Sequence, residues 1–327
     1  MTKQLFSLEK IIDSLDNGSF CKIICGASNT SKTQVERLAL IYSLCGADVI
    51  DISSRKEIYD AARRGIHRAS EIFGENPYVY PNFNIPAIMQ SLNVRDDKHF
   101  RKANFNLSGC TSCLECVKTC QSGALSVNGA KLDFDAEKCY GCAVCVETCR
   151  QNAVTMIETH YSAETDKVDF DAVELHTGNS SLEEVKSFLQ LNKIKEAGLV
   201  SISVDSMRFN SAELVEYVNS IVKLFDRKII IQIDGISMRG GSKNSSTMQT
   251  IAAAAILLEV KVDAYIQLAG GTNLQTQKIV DMTGLKISGI GYGTFSKKAI
   301  LSYIEGSEEK EFLANIHKIA DIAADLC

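Results

Sequence analysis

Lys228-Ile-Ile-Ile-Gln-Ile-Asp234 is the stretch from which the fold can be read. Its apolar residues run on almost without alternation. That is how a strand buried on both faces reads, and such strands belong to parallel sheets covered by helices. With this one at 229–234, comparable runs at 21–26, 48–52, 88–94, 172–177, 199–205, 264–269 and 287–291 make eight strand candidates. Amphipathic helix patterns lie between them at 33–46, 56–73, 181–197, 211–225, 246–260, 274–282 and 295–303, the first behind an Asn-Thr-Ser cap. A helix at 8–15 precedes the first strand and another at 309–326 follows the last. Eight βα steps predict an α/β chain folded as a TIM-like (β/α)8 barrel, with an open doubly wound sheet as the alternative. The pattern is weakest at the third strand. Pro77, Pro81 and Pro86 crowd its approach, and no clean helix separates it from the fourth.

In that gap sit two copies of one cysteine spacing. Cys110-Thr-Ser-Cys113-Leu-Glu-Cys116-Val-Lys-Thr-Cys120 and Cys139-Tyr-Gly-Cys142-Ala-Val-Cys145-Val-Glu-Thr-Cys149 both read C-x2-C-x2-C-x3-C. Bacterial two-cluster ferredoxins use this run, with the fourth cysteine reaching the other cluster. The expected ligand sets are therefore Cys110, Cys113, Cys116 and Cys149 on one [4Fe-4S] cluster, and Cys139, Cys142, Cys145 and Cys120 on the other. Two C-x2-C pairs would also suit a zinc ion, but one zinc takes four thiolates and leaves four without a role. Between the runs, alternating residues on either side of Asn128-Gly129 read as a hairpin. The expected domains are a discontinuous barrel at 1–103 and 158–327 and a ferredoxin-like insertion at 104–157. An insertion after the third strand enters at the face where barrels carry their sites.

Ferredoxins usually place proline after the fourth cysteine, whereas this chain has Gln121 and Arg150. A positive Arg150 beside an anionic cluster favours the reduced, more negative form and is expected to raise its potential; the alternative is that Arg150 simply points to solvent. The remaining cysteines, Cys21, Cys25, Cys45 and Cys327, lack ligand spacing, and the first three read as buried inert thiols.

The chain has 327 residues, 45% hydrophobic and 23% charged, with a formal charge of −5. That is ordinary for a globular protein and argues against nucleic acid as a partner. No apolar run reaches membrane-spanning length and no secretory leader opens the sequence, so a cytoplasmic location is expected.

Two glycine turns end the last strands: Gly270-Gly271-Thr272 and Gly291-Tyr-Gly293-Thr294. Loops at these positions form the common phosphate site of barrels, so a phosphate-bearing ligand such as FMN is one expectation, and tight turns with helix caps are the other. A glycine-rich basic loop at 237–243 reads either as a cover for an anion or as a solvated lid. Of the polar residues at strand ends (Ser28, Asp51, Asn93, Arg95, His176, Asp205, Gln232, Asp234 and Gln267), His176, Asp205 and Asp234 are the candidates for ligand contact or proton transfer.

Several stretches resemble the cyanobacterial light-dependent-period (LdpA) family of iron–sulfur proteins. They are Ile24-Cys-Gly-Ala-Ser28, Leu38-Ala-Leu-Ile-Tyr-Ser-Leu-Cys-Gly-Ala-Asp48 with Ile50-Asp51, Asp97-Lys-His-Phe-Arg-Lys-Ala103, the cysteine module, and Gln267-Leu-Ala-Gly-Gly-Thr-Asn273. The resemblance implies a sensor of electron-transport or quinone redox state that feeds a circadian clock. It carries over the eight cluster cysteines and no catalytic residue. Residues and resemblance together predict an iron–sulfur protein for electron transfer or redox sensing, with a redox protein or a quinone-like molecule as partner. A barrel oxidoreductase passing electrons from the clusters to a cofactor or substrate at the mouth is the alternative, so whether the chain is an enzyme is left open. The sequence leaves the oligomeric state open too.

Overall fold

The alternation hidden in the apolar runs sorts each strand into two faces. A computed structural model describes residues 6–26, 31–94, 99–120, 122–129, 131–136, 138–139, 141, 143–160, 171–178, 180–191, 194–235, 245–304 and 307–327. In chain order the elements are α1 (Leu8–Asn17), β1 (Phe20–Ile24), α2 (Lys32–Leu44), β2 (Val49–Ser53), α3 (Lys56–Glu75), β3 (Ala87–Asn93), β4 (His99–Phe105), α4 (Glu115–Thr119), β5 (Leu125–Asn128), β6 (Lys131–Phe134), α5 (Val144–Thr148) and β7 (Val154–His160). There follow β8 (Ala172–His176), α6 (Leu182–Leu191), β9 (Leu199–Asp205), α7 (Ser211–Val222), β10 (Ile230–Asp234), α8 (Ser245–Glu259), β11 (Tyr265–Ala269), α9 (Leu274–Thr283), β12 (Gly289–Tyr292), α10 (Thr294–Ile304), α11 (Glu309–Ala314) and α12 (Ile316–Ala324).

Eight of these strands close a barrel in the order β1-β12-β11-β10-β9-β8-β3-β2, every neighbouring pair parallel. The closed ring decides for the barrel over the open sheet. β3, the weakest strand in the sequence, pairs in full register with β2 and β8. Outward residues such as Ile23, Ile52, Val173, Ile202, Ile231 and Leu268 form one core with the helices. Inward residues at the N-terminal ends of the strands form another, where Phe20, Val49, Met89, Leu199 and Ile230 pack on Ile11 and Leu15 of α1. This helix plugs the bottom, so the interior is reached from the C-terminal end.

β4 and β7 pair antiparallel with each other, His99 opposite His160, and not with the barrel wall. Residues 99–103 and 158–160, expected in the barrel, thus belong to the ladder that leads into the inserted module. β5 and β6 form the expected hairpin.

The reading of Cys21 as an inert thiol is corrected: it is disulfide-bonded to Cys327, 306 residues away. The carbonyl of Leu326, a residue buried just beyond α12, lies beside its sulfur. A pairing this remote leaves no local spacing to read. Cys25 and Cys45 are buried thiols outside the disulfide, each pushed up to about 12 by burial, and are inert. Among the described residues no helix is long and apolar enough to cross a membrane.

Candidate functional site

The two cysteine runs fold alike. Each places two residues in the left-handed region around its second cysteine: Ser112 (φ 51°) and Leu114 (φ 60°) in the first, Gly141 (φ 73°) and Ala143 (φ 64°) in the second. Each then enters a five-residue helix, α4 or α5, which the fourth cysteine ends in an extended conformation. Three residues further on, Gly123 (φ 67°) and Asn152 (φ 51°) repeat the match. A bulky Leu114 with positive φ is costly, and such strain persists where a site over-determines the backbone. The loops turn amide groups toward sulfur. Ser112 N lies 3.4 Å from Cys110 Sγ and Ala153 N lies 3.3 Å from Cys149 Sγ, each as donor. Amides aimed at sulfur stabilise thiolates and clusters.

Helices α4 and α5 pack together, which brings the end of one run against the loop of the other. A cavity open to solvent is lined by Cys110, Cys113, Cys116 and Cys149, with Phe105, Leu132 and Val154 as its apolar wall. These are the four cysteines expected on the first cluster. Among the described residues no three Cys, His, Asp or Glu side chains close on a single metal ion. Thiols spread around a cavity suit a cubane, in which each iron takes one thiolate. Burial pushes the Cys116 thiol up, and the charges of Cys110 and Cys113 push it further. Thiols so placed lose their protons when metal compensates. The residues fit a [4Fe-4S] cluster, which when bound supplies one-electron transfer. In the second set, Cys139 is buried and Cys120 and Cys145 pack beside it, while Cys142 lies outside the described residues. Buried Lys102 of β4 donates to the Cys139 carbonyl, a charge that sequence reading missed. Arg150 is exposed, and Gln121 lies outside the described residues. Lys118, then Arg150, hold the exposed Glu115 carboxyl below its usual range.

The barrel mouth is a second polar centre. Above the apolar plug the inward positions carry Lys22, Asp51, Glu174, Ser201, Gln232 and Gln267, all buried. Lys22 Nζ is ion-paired with Glu174 Oε2 and lies 3.9 Å from Asp51 Oδ2. Gln232 Nε2 donates to Glu174 Oε1 at 2.9 Å and to Asp234 Oδ1 at 3.0 Å. His176 Nδ1 lies 3.2 Å from Ser203 Oγ, whose hydroxyl donates to Asp234, and its Nε2 lies 3.3 Å from Glu174 Oε1. Burial, then the charge of Glu174, push the Asp51 carboxyl up to about 7 and raise that of Asp234. Burial works against the Glu174 carboxylate, but Lys22 and His176 outweigh it and hold this carboxyl below its ordinary value.

The structure thus joins two of the three proton-transfer candidates, His176 and Asp234, through Ser203. It leaves out the third: Asp205 is exposed and caps a short turn, accepting from Met207 N at 3.1 Å. Asp51, Gln232 and Gln267 join the cluster, Asn93 is half-buried on β3, and Ser28 and Arg95 lie outside the described residues. Lys22 and Glu174 were missed. Each is a single charge in an apolar run, and that was the available signal. The glycine turns meet where the buried Thr272 hydroxyl donates to the Gly291 carbonyl, so that hydroxyl is used within the fold. Gly270 and Gly271 are left-handed, and a Cβ on Gly270 would come 2.7 Å from Gly235 N. Gly293 follows β12, and Thr294 opens α10. The loop at 237–243 lies outside the described residues.

Comparison with known families matches residues 102–150 to a 4Fe-4S dicluster domain and residues 165–324 to the light dependent period A C-terminal domain. The chain carries both. It is also 26% identical over 321 residues to "Light dependent period A" of Synechococcus elongatus, covering 94% of this chain and 88% of that one. The family resemblance read from the sequence therefore stands: the chain matches the C-terminal domain of light dependent period A and carries a 4Fe-4S dicluster domain. Among solved structures it is similar to the YdjI aldolase from Escherichia coli K12 (TM-score 0.48, 8% identity, 98% of this chain and 95% of that chain). It is also similar to GGGPS from Thermoplasma volcanium (TM-score 0.40, 12% identity, 98% and 97%). Neither likeness carries an argument about activity, and the barrel rests on its own strand pairing.

Proposed function

We propose that this chain transfers electrons or senses redox state through two [4Fe-4S] clusters, held crosswise by Cys110, Cys113, Cys116 and Cys149 and by Cys139, Cys142, Cys145 and Cys120. The observation that carries the reading is the cavity in which three thiols of the first run meet the last thiol of the second. The inserted lobe is the redox part, and the barrel at its base relays the state of the clusters to a redox protein or a quinone-like molecule. A role in setting a light-dependent period, named for the Synechococcus relative, is the physiological form this reading takes. The half-exposed thiols of the first set leave that cluster close to solvent, where a partner can exchange electrons with it.

The test is anaerobic purification of the full chain with iron and sulfide counts, an optical spectrum and a redox titration. About eight irons and eight sulfides per chain are expected, in two reducible cubanes. Zinc in their place, or far fewer irons after careful reconstitution, overturns the reading. Pull-down with the clusters oxidised and reduced separates sensing from plain transfer. A partner that binds in only one state supports the sensor, and equal binding supports the carrier.

A further inference from the structure

Barrel interiors are normally filled by branched aliphatic side chains. Replacing a buried ion pair by such residues costs little or stabilises, so ionisable groups kept in mid-barrel point to chemistry. Here the inward positions above the plug hold Lys22, Asp51, Glu174, His176 and Asp234.

We infer that Lys22 is an imine-forming lysine, and that the barrel mouth is a site, separate from the cysteine module, for a small uncharged hydroxy-aldehyde or hydroxy-ketone.

Geometry supplies the roles. Lys22 is fully buried, paired with Glu174 on one side and facing Asp51 Oδ2 at 3.9 Å on the other. That oxygen has no hydrogen-bond partner among the described residues, whereas Oδ1 accepts from the Ser91 hydroxyl at 2.7 Å. Asp51 is thus held by one oxygen and offers the other to the amine. A carboxyl pushed up to about 7 by burial can both take and return a proton near neutrality. The Lys22 ammonium gives a proton to Asp51 Oδ2, and its lone pair adds to the carbonyl carbon. Asp51 returns that proton to the new alkoxide. A second proton follows the same route from nitrogen to the hydroxyl, the C–O bond breaks, and water leaves. Ammonium and carbonyl have become iminium and water with no oxidant consumed, and the positive charge still faces Glu174.

Two glycines, one in β12 and one just past it, shape the space beside the amine. A Cβ on Gly291 would sit 2.6 Å from Gln267 Nε2, forcing that amide to shift, and would touch Lys22 Cε at 3.4 Å. A Cβ on Gly293, one layer nearer the mouth, would meet only Ile24 Cβ at 3.8 Å. His176, with 28% of its side chain exposed, connects the buried cluster to the opening.

The ligand class follows from charge and unmet acceptors. Three carboxylates face one lysine and one histidine, which disfavours an anionic substrate. Gln232 points its amide nitrogen at two carboxylates, so its oxygen accepts from Gln267 Nε2 at 2.9 Å. That fixes Gln267 Oε1 as a buried acceptor without a donor among the described residues. A substrate hydroxyl supplies the donor.

The test treats the full chain, clusters intact, with dihydroxyacetone and cyanoborohydride near neutral pH, and locates reduced adducts by peptide mass spectrometry. Lys22 is expected to be labelled faster than the exposed lysines, and Asp51→Asn to slow its labelling about a hundredfold with circular dichroism and cluster absorbance unchanged. An unlabelled Lys22 beside labelled surface lysines overturns the inference, as does labelling that Asp51→Asn leaves alone. Should Asp51→Asn not fold, the ratio of Lys22 to surface labelling in the unaltered protein decides.

Discussion

Lys102 and Arg150 are both positive residues near the cysteine module, and only one is buried. Lys102, 7% exposed, donates to the carbonyl of Cys139, a proposed ligand of the second cluster, whereas Arg150 faces water. Water and salt screen an exposed charge, so the buried one holds more of its influence on a reducible centre. Lys102→Met is expected to lower the midpoint of one cluster clearly, and Arg150→Gln to lower it less. A redox titration followed by EPR gives both values, and an unchanged or raised midpoint in Lys102→Met contradicts the assignment. A second prediction concerns Asp51, whose carboxyl is raised in the folded chain to about 7 from an ordinary 3.8. Below about pH 4 both states hold the proton and nothing is lost. Between pH 4 and 7 only the folded state holds it, so each rise in pH weakens folding, and above 7 the loss is complete. Urea titrations should therefore show Asp51→Asn gaining on the unaltered protein as pH rises from 4 to 7 and levelling beyond. A gap that narrows over this window would sink the prediction. Sequence reading reached His176 and Asp234 because they stand at strand ends, where polarity is visible. Lys22 and Glu174 stand in mid-strand, where the surrounding apolar run hides them and only barrel closure shows that their faces meet.

At the scale of elements, local chemistry marked most helices, and tertiary contact set their ends. Asn210 caps α7 with a full capping box: its side chain accepts from Ala212 and Glu213, and Glu213 returns to its backbone. Asn210→Ala should cost about 1 kcal/mol in stability, read from a denaturant midpoint with unchanged slope. Close approach of α2 and α3 depends on Gly65, where an added Cβ would lie 2.2 Å from Glu36 O and 3.0 Å from the Ala39 Cβ. Backbone cannot yield as a side chain does, so Gly65→Ala should cost roughly 1–3 kcal/mol despite alanine's better helix propensity. A Gly65→Ala variant as stable as the original would show that the helices can part freely. The expected helix at 309–326 divides at Asn315, whose side-chain amide donates to the Glu311 carbonyl at 2.9 Å. Asparagine competes in this way for backbone groups, and periodicity alone does not register it.

The whole molecule couples two parts whose stability has different sources. The barrel was legible because eight runs such as 229–234 each declare burial on both faces, and one closed sheet satisfies all of them. The module was legible through its cysteines, while the β4–β7 ladder at its base was not, since pairing across some fifty residues leaves no local pattern. The barrel owns two apolar cores. The module has a small one, in which Ala103, Ala124, Cys139 and Val154 are the buried members. Helices α4 and α5 have five residues each and no buried residue, far too little for a helix to stand unaided. On the proposed crosswise ligation, metal bonds that tie the loop of one run to the end of the other supply their order, and cluster binding and folding of the lobe become one equilibrium. Removing iron with an anaerobic chelator should therefore expose residues 106–153 to proteolysis and fast amide exchange, while β1, β2 and β8 to β12 stay protected. Cys149→Ser, which takes one thiolate from the first set while its run still supplies three to the second, should halve the iron and loosen the same segment partially. Exchange that spreads into the barrel strands on iron loss would show instead that the clusters hold the entire fold together.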